Sequence, residues 1–185
     1  MPHLAVIIGS LRRGSFSRRL AHALLSVAPA GMTGAEVPIG NLALFNQDIE
    51  ADGTTPPEYI AFRAAIRAAD AILFVTPEYN RSISGALKNA LDVGSRPYGQ
   101  NVWAKKPAAV VSNTPTALGG PLGNHALRQC LVFLDMPVLQ QPEAYIGNVA
   151  TVVAEDGEIA DGSRDFLTGI MAAFADWIKR TAIRG

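Results

Sequence analysis

Residues Gly9-Ser10-Leu11-Arg12-Arg13-Gly14-Ser15-Phe16-Ser17 place two glycines, three hydroxyls and two guanidiniums within nine positions. They leave an apolar run at residues 4–8 and enter a stretch, residues 17–27, that sets Leu20, Ala21, Leu24 and Leu25 on one helical stripe. A turn from strand into helix aims free backbone N–H groups and the positive end of the helix dipole at one point in space. Hydroxyls of Ser10, Ser15 and Ser17, with the guanidinium of Arg12 or Arg13, add donors, and together these suit a phosphate. Gly9 and Gly14 have the spacing of an ATPase phosphate loop, but Ser15 and Phe16 follow where Lys and Ser/Thr are required. The Gly-x-Gly-x-x-Gly dinucleotide pattern is also missing. The loop therefore suits a monophosphate better than a triphosphate or a pyrophosphate. The competing reading is structural: Ser15 or Ser17 caps the helix and the arginines are solvated.

Two further segments end apolar runs in the same way. Residues 71–75 lead into Thr76-Pro77-Glu78-Tyr79-Asn80, where Pro77 stops the strand. Tyr79 offers a flat apolar face with a hydroxyl at its rim. Backbone amides around Glu78 and Asn80 suit the polar edge of a pyrimidine-like ring. A plain surface turn is the alternative. Residues 108–111 lead into Ser112 and then residues 113–123, which contain Gly119-Gly120 and Gly123. Glycine there lets the backbone pass close to a planar ligand, and the alternative is a flexible connection. Flavin mononucleotide (FMN) is the common cofactor held by a monophosphate at this place in a doubly wound sheet. Three ligand-suited loops at the ends of three successive predicted strands are what favour the ligand reading.

The elements that must position these loops alternate. The runs at residues 4–8, 71–75 and 108–111 are continuously apolar, as strands covered on both faces are. Residues 151–153 are a candidate fourth strand, 35–37 a second strand by position, and 138–139 the lead into the last. Helices are predicted over residues 17–27, 58–69, 85–93, 124–134 and 163–183. In the second of these Ile60, Ala61, Ala64, Ala65 and Ala68 share a stripe. In the last Phe166, Ile170, Phe174, Trp177 and Ile178 recur at helical spacing. Such alternation implies a parallel α/β sheet in one domain, residues 1–185, since neither loop-rich stretch, 50–57 or 95–107, leaves enough chain for two cores. Asp156-Gly157-Glu158 reads as a hairpin-like turn.

Composition narrows the function. Of 185 residues 49% are hydrophobic and 17% charged, which excludes a disordered chain. Sixteen basic residues balance sixteen acidic ones, so a nucleic-acid or anionic-membrane partner is not expected. Cys130 is the single cysteine and the histidines, His3, His22 and His125, are scattered, so no metal site is expected. No run approaches the roughly 20 apolar residues of a membrane span, and the first residues do not read as a secretory signal. The expectation is a cytoplasmic protein.

These residues carry a resemblance. The chain resembles the NADPH-dependent FMN reductase family, with its quinone, chromate and azo reductase relatives. The match runs through Gly9 to Ser17, Pro77-Glu78-Tyr79-Asn80, Gly85-Ala86-Leu87-Lys88-Asn89-Ala90-Leu91-Asp92, Ser95-Arg96-Pro97, Lys106-Pro107, Gly119-Gly120 and Leu127-Arg128-Gln129. The resemblance implies a flavodoxin-like three-layer sandwich: a five-stranded parallel sheet of order 2-1-3-4-5 with helices on both faces. It implies that Ser10, Arg12, Ser15, Phe16 and Ser17 hold the FMN phosphate. It implies that Pro77, Glu78, Tyr79 and Asn80 line the isoalloxazine ring, and that the loop from Ser112 through Gly119 and Gly120 closes its other edge. It implies a homodimer or a dimer of dimers. Four places depart from the family pattern. Ser17 stands where asparagine is frequent, and Val93-Gly94 replaces a tryptophan-containing pair. Residues 113–116 lengthen a short turn. Leu122 and His125 stand where some members have the arginine and tyrosine of a tetramer contact.

The activity implied is hydride transfer from NADPH or NADH through FMN to a quinone, free flavin, azo compound or chromate-like acceptor. One site serves both half-reactions, and no side-chain acid or base is required, so no catalytic residue is assigned. The alternatives are a non-enzymatic flavodoxin-type electron carrier, which is usually strongly acidic, and a binding module that keeps the fold without flavin. Cys130 reads as a small apolar side chain within a helix. His22 and His125 read as surface residues, and Phe174 and Trp177 as packing against the sheet.

Overall fold

Three of the five strands are buried along almost their whole length, which is why they read as unbroken apolar runs. The computed structural model describes residues 1–51 and 53–181. Its strands are β1 (His3–Ile8), β2 (Thr33–Glu36), β3 (Ala71–Pro77), β4 (Ala108–Asn113) and β5 (Ala144–Ile146). They form one parallel sheet of order β2-β1-β3-β4-β5, the flavodoxin-like order expected. The helices are α1 (Phe16–Ser26), α2 (Asp48–Ala51), α3 (Pro57–Ala68), α4 (Gly85–Gly94), α5 (Pro121–Phe133) and α6 (Asp161–Thr181).

The two-residue period of the strands divides their side chains between two cores. Leu4, Val6 and Ile8 of β1, with Leu73 and Val75 of β3, pack under α1 and α6. Ala5 and Ile7, with Ile72 and Phe74, face α3, α4 and α5. Phe174 is fully buried on the first side, and Trp177 is partly buried beside it with its indole donating to the Pro137 carbonyl at 2.8 Å.

Several expectations need correction. The fifth strand is Ala144–Ile146, not residues 151–153. Residues 149–151 form a 3-10 turn, and Val153 makes only a single antiparallel bridge to Ile159 across the turn around Asp156-Gly157-Glu158. Val138 likewise makes one bridge, to Ala108. The helix at residues 57–68 buries Tyr59, Phe62, Arg63 and Ile66, the face opposite to the predicted alanine stripe, and leaves Ile60 exposed. Bulk decides this: Tyr, Phe and Ile bury far more apolar area than a row of alanines. Phe166, on the predicted stripe of the last helix, is exposed, while Leu167 and Met171 are buried beside Ile170 and Phe174. Helix α5 begins at Pro121, three residues before the predicted start, with proline at a first-turn position where its missing N–H costs nothing. The stretch 95–107 holds Trp103, fully buried, its indole donating to the Leu91 carbonyl at 3.1 Å. Residue 183, the predicted end of the last helix, lies outside the described residues. Among the described residues no helix is long and apolar enough to cross a membrane.

Candidate functional site

The carboxyl ends of β1, β3 and β4 are held at one level by the sheet register. Ile8 pairs with Val75, Thr76 with Ser112, and Pro77 with Asn113, so the three loops that follow leave from the same edge. Side chains then tie the loops to one another. Ser84, which caps α4 by accepting from the Leu87 amide at 3.2 Å, donates its hydroxyl proton to the Gly9 carbonyl at 2.5 Å. Asn113 donates to the Ser17 hydroxyl at 3.0 Å and to the Thr76 carbonyl at 3.2 Å. Thus one amide side chain at the end of β4 touches both the first helix and the end of β3. Gly9 permits the approach of β1's exit to its neighbour: a Cβ there would lie 2.9 Å from Thr76 Oγ1 and 3.0 Å from Pro77 Cδ.

The first loop has the properties of an anion cradle. Ser15 is the N-cap of α1 and accepts from the Arg18 amide at 3.2 Å. The capping reading of Ser15 therefore holds, and its hydroxyl proton is still free to donate. Ser10, Ser15 and Ser17 are buried, whereas Arg12 and Arg13 are exposed. Among the described residues, the backbone N–H groups of residues 10–17 have no acceptor within the protein, and neither does the Ser10 hydroxyl. A turn with so many free donors is the pattern that satisfies a phosphate. The Arg18 guanidinium fixes the loop's outer side. It meets Glu36 at 2.8 Å and donates to the Arg12 carbonyl at 3.3 Å. The Glu36 pair, as a hydrogen bond first and as a charge second, holds the Arg18 pKa above its ordinary value despite some burial.

In the second loop Tyr79 and Ser82 exchange backbone hydrogen bonds at 2.9 Å, with Asn80 and Arg81 both at positive φ, +50° and +63°. This is a two-residue hairpin turn of the primed kind, and it leaves Tyr79 half exposed at the edge. The Glu78 carboxylate reaches the far end of the third loop and accepts from the Gly123 amide at 2.9 Å, in the first turn of α5. Such a contact is favourable at a helix N-terminus. The Glu78 amide and that of Asn80 have no acceptor among the described residues.

The third loop is braced from inside. Ser112 is fully buried, donates to the Gly119 carbonyl at 2.8 Å and accepts from Asn124 at 3.2 Å. Gly119 and Gly120 both adopt positive φ, and a Cβ on Gly119 would lie 2.6 Å from the Tyr145 carbonyl carbon. The protein's own packing on β5 therefore requires Gly119. The amides of residues 116–118 have no acceptor among the described residues. Asn113, Ser84 and Asn124 are the residues that sequence reasoning missed. Each is an ordinary turn or cap residue in type, and its role lies in partners up to 96 positions away.

Beside this site, His125 and the Tyr145 hydroxyl lie 2.9 Å apart, and His125 Nε2 is 3.8 Å from Glu143. Burial, then the neighbouring Glu143 carboxylate, push the Tyr145 phenol up to about 12, against a smaller opposing pull from Arg128. His125 is exposed, as expected, but it has a partner.

A monophosphate with a flat ring fits these residues: free amides on one loop, an aromatic face on the second and free amides on the third. Comparison with known proteins agrees. The family described as NADPH-dependent FMN reductase is matched over residues 2–151. A quinone reductase from Pseudomonas putida is 54% identical over 95% of this chain and 94% of its own. A 2-hydroxy-1,4-benzoquinone reductase from a Burkholderia species is 42% identical over 95% and 96%. Among solved structures, the flavoenzyme NAD(P)H:(acceptor) oxidoreductase FerB from Paracoccus denitrificans superposes with a TM-score of 0.93 at 38% identity, covering 99% of this chain and all of the other.

Proposed function

The chain belongs to the NADPH-dependent FMN reductase family, and on that premise we propose that the edge shared by its three loops is where it holds FMN and receives its substrates. It is an NAD(P)H-dependent oxidoreductase that uses FMN and reduces quinones. When bound, FMN supplies the hydride-accepting and electron-donating chemistry between NAD(P)H and the acceptor.

The protein's part is positional. The N–H groups of residues 10–17, with Ser10, Ser15 and Arg12, hold the phosphate, while Phe16 and Ser17 shape the loop around it. The observation that carries this reading is the row of unpaired amides at the start of α1. Pro77 and Tyr79 offer the ring its apolar flank. The Glu78 and Asn80 amides and those of residues 116–118 face its polar edge, where donors favour the added negative charge of reduction. Ser112, Gly119 and Gly120 set the shape of the third loop rather than offering side-chain contacts. No side chain is assigned as acid or base: donor and acceptor use the same exposed edge in turn, and the proton that accompanies hydride to a quinone comes from water there.

We read the chain as one FMN-binding domain that acts in the cytoplasm as a homodimer. Exposed Val132 and Phe133 at the end of α5, and Tyr98 nearby in sequence to α4, support association. The neutral net charge does not favour a carrier that docks onto redox partners.

The experiment is purification followed by visible absorbance, FMN titration by fluorescence, and NADPH oxidation with a benzoquinone. A flavin spectrum that is lost in Ser10→Ala combined with Ser15→Ala is the expected result. A colourless protein that also fails to take up added FMN would remove the proposal. Sedimentation analysis decides the dimer.

A further inference from the structure

A second concentration of charge lies on the outer side of the phosphate loop. A cleft of about 550 Å³ is lined by Arg12, Arg13, Arg18, Arg19 and His22, with Glu155 as its one acid. Neither the loop at residues 77–80 nor that at 112–120 lines it, so it is distinct from the ring site, yet it shares Arg12, Arg13, Gly14, Ser15 and Phe16 with the phosphate loop, whose outer side it occupies. The chain as a whole is neutral, so this clustering is local rather than a general basicity.

The cations differ in how far they are engaged. Arg18 is paired with Glu36. Arg12 and Arg13 are exposed and have no carboxylate within 4.0 Å among the described residues. The Arg19 guanidinium lies 4.5 Å over the Phe16 ring, and its Nε is buried with no hydrogen-bond partner. Stacking on an aromatic face holds a guanidinium in place without using its N–H groups, which leaves a prepared fork. Forked donors of this kind match a phosphate monoester, which carries about −1.5 to −2 charge near neutral pH.

We propose that this cleft receives the 2′-phosphate end of NADPH, and that Arg13, Arg19 and His22 determine a preference for NADPH over NADH. The inference rests on the reading of the chain as an FMN-dependent NAD(P)H oxidoreductase. The inner face of the loop serves one phosphate, that of the resident cofactor, and the outer cleft serves another, on the arm that the reductant must extend beyond the ring site.

The test uses the FMN-loaded protein and the variants Arg13→Ala, Arg13→Glu and Arg19→Gln. Three quantities are read: kcat/KM with NADPH and with NADH, the bound FMN per chain, and calorimetric binding of 2′,5′-ADP against 5′-AMP. The expected result is a loss of about tenfold or more in kcat/KM for NADPH, carried by KM, with NADH changed by less than about twofold and FMN content unaltered. The native protein binds 2′,5′-ADP more tightly than 5′-AMP, and the variants lose that difference. Equal losses for both reductants would overturn the proposal, as would a native protein indifferent to the 2′-phosphate. Loss of FMN in Arg13→Ala would assign the cleft to the cofactor's own phosphate and overturn it equally. Should the native protein take up no FMN at all, the flavin reading fails, and the two mononucleotides still decide the cleft separately. Arg13 is exposed and makes no side-chain hydrogen bond or ion pair among the described residues, so its variants remain informative if Arg19→Gln fails to fold.

Discussion

Asn113 Nδ2 sits 3.0 Å from Ser17 Oγ, joining the end of β4 to the first turn of α1 across 96 positions of sequence. The same nitrogen lies 3.2 Å from the Thr76 carbonyl. Asn113, Ser17 and Thr76 are all buried, so the contact fixes the spacing of the three loops where water cannot substitute.

Asn113→Ala leaves the Ser17 hydroxyl and the Thr76 carbonyl short of a partner. The expected cost is about 1–3 kcal/mol in denaturant unfolding. Asn113→Asp keeps the size but removes both donated hydrogen bonds and adds a negative charge next to the anion cradle. FMN affinity, followed by fluorescence titration, is expected to fall further in the aspartate variant than in the alanine one. Equal affinities in the two variants would mean that the cradle lies elsewhere.

The buried ion pair of Arg63 and Glu50 anchors the segment before α3. Arg63 Nη1 meets Glu50 Oε1 at 2.6 Å and Nη2 meets Oε2 at 3.0 Å, while Nε donates to the Val93 carbonyl at 2.9 Å. Both side chains are more than nine-tenths buried. Arg63→Ala strands a carboxylate and is expected to cost about 3–5 kcal/mol. The double variant Arg63→Met with Glu50→Leu removes both charges and should lose clearly less. Chemical denaturation of the single and double variants checks the ordering, and a double variant as unstable as Arg63→Ala would contradict it.

That pair also explains what was hidden in the sequence. Helix α3 was legible as a helix, but its buried face was not, because a buried arginine does not read as core until Glu50 is seen beside it. The strands β1, β3 and β4 were legible because burial on both faces demands continuous apolar residues. Strand β2 was legible by position only, at residues 35–37, and β5 was not, because an edge strand of three or four residues needs no such run; β2 reads Thr-Gly-Ala-Glu. In the site, the loop at residues 9–17 was legible because a cradle needs glycine, hydroxyl and cation close together in sequence. The Asn113 and Ser84 contacts were not, since single hydrogen bonds between distant loops leave no local pattern. Glu78 shows the limit in the other direction: its tetrapeptide does fall at the end of β3, yet its carboxylate serves the start of α5.

Tyr145 gives the protein a predictable response to alkali. Its phenol is raised to about 12 by burial first, then by Glu143, against roughly 10 in an unfolded chain. A raised folded value means that the contribution is complete below about pH 10 and is lost as pH climbs through 12. Tyr145→Phe cannot ionise and should lack this component. Denaturation midpoints of native and Tyr145→Phe protein between pH 8 and pH 12, with the difference narrowing only above about pH 10, check the sign. A difference that narrows below pH 9 would assign the effect to another group.

Cys130 is the last group that a redox enzyme invites one to recruit, and its surroundings argue against it. It lies in α5, half buried, packed against the core on the α3–α5 side of the sheet. Burial pushes its thiol pKa up, and the opposing influence of Lys88 is smaller. A thiol with a raised pKa holds little thiolate at neutral pH and is a poor nucleophile. Cys130→Ala is therefore expected to retain bound flavin and NADPH–quinone turnover, at a stability cost of about 1 kcal/mol for the small volume lost. In the native protein the thiol should react slowly with a disulfide reagent at pH 7 and rapidly only after unfolding. Fast native labelling, or turnover that disappears in Cys130→Ala, would show instead that the thiol takes part in the electron path.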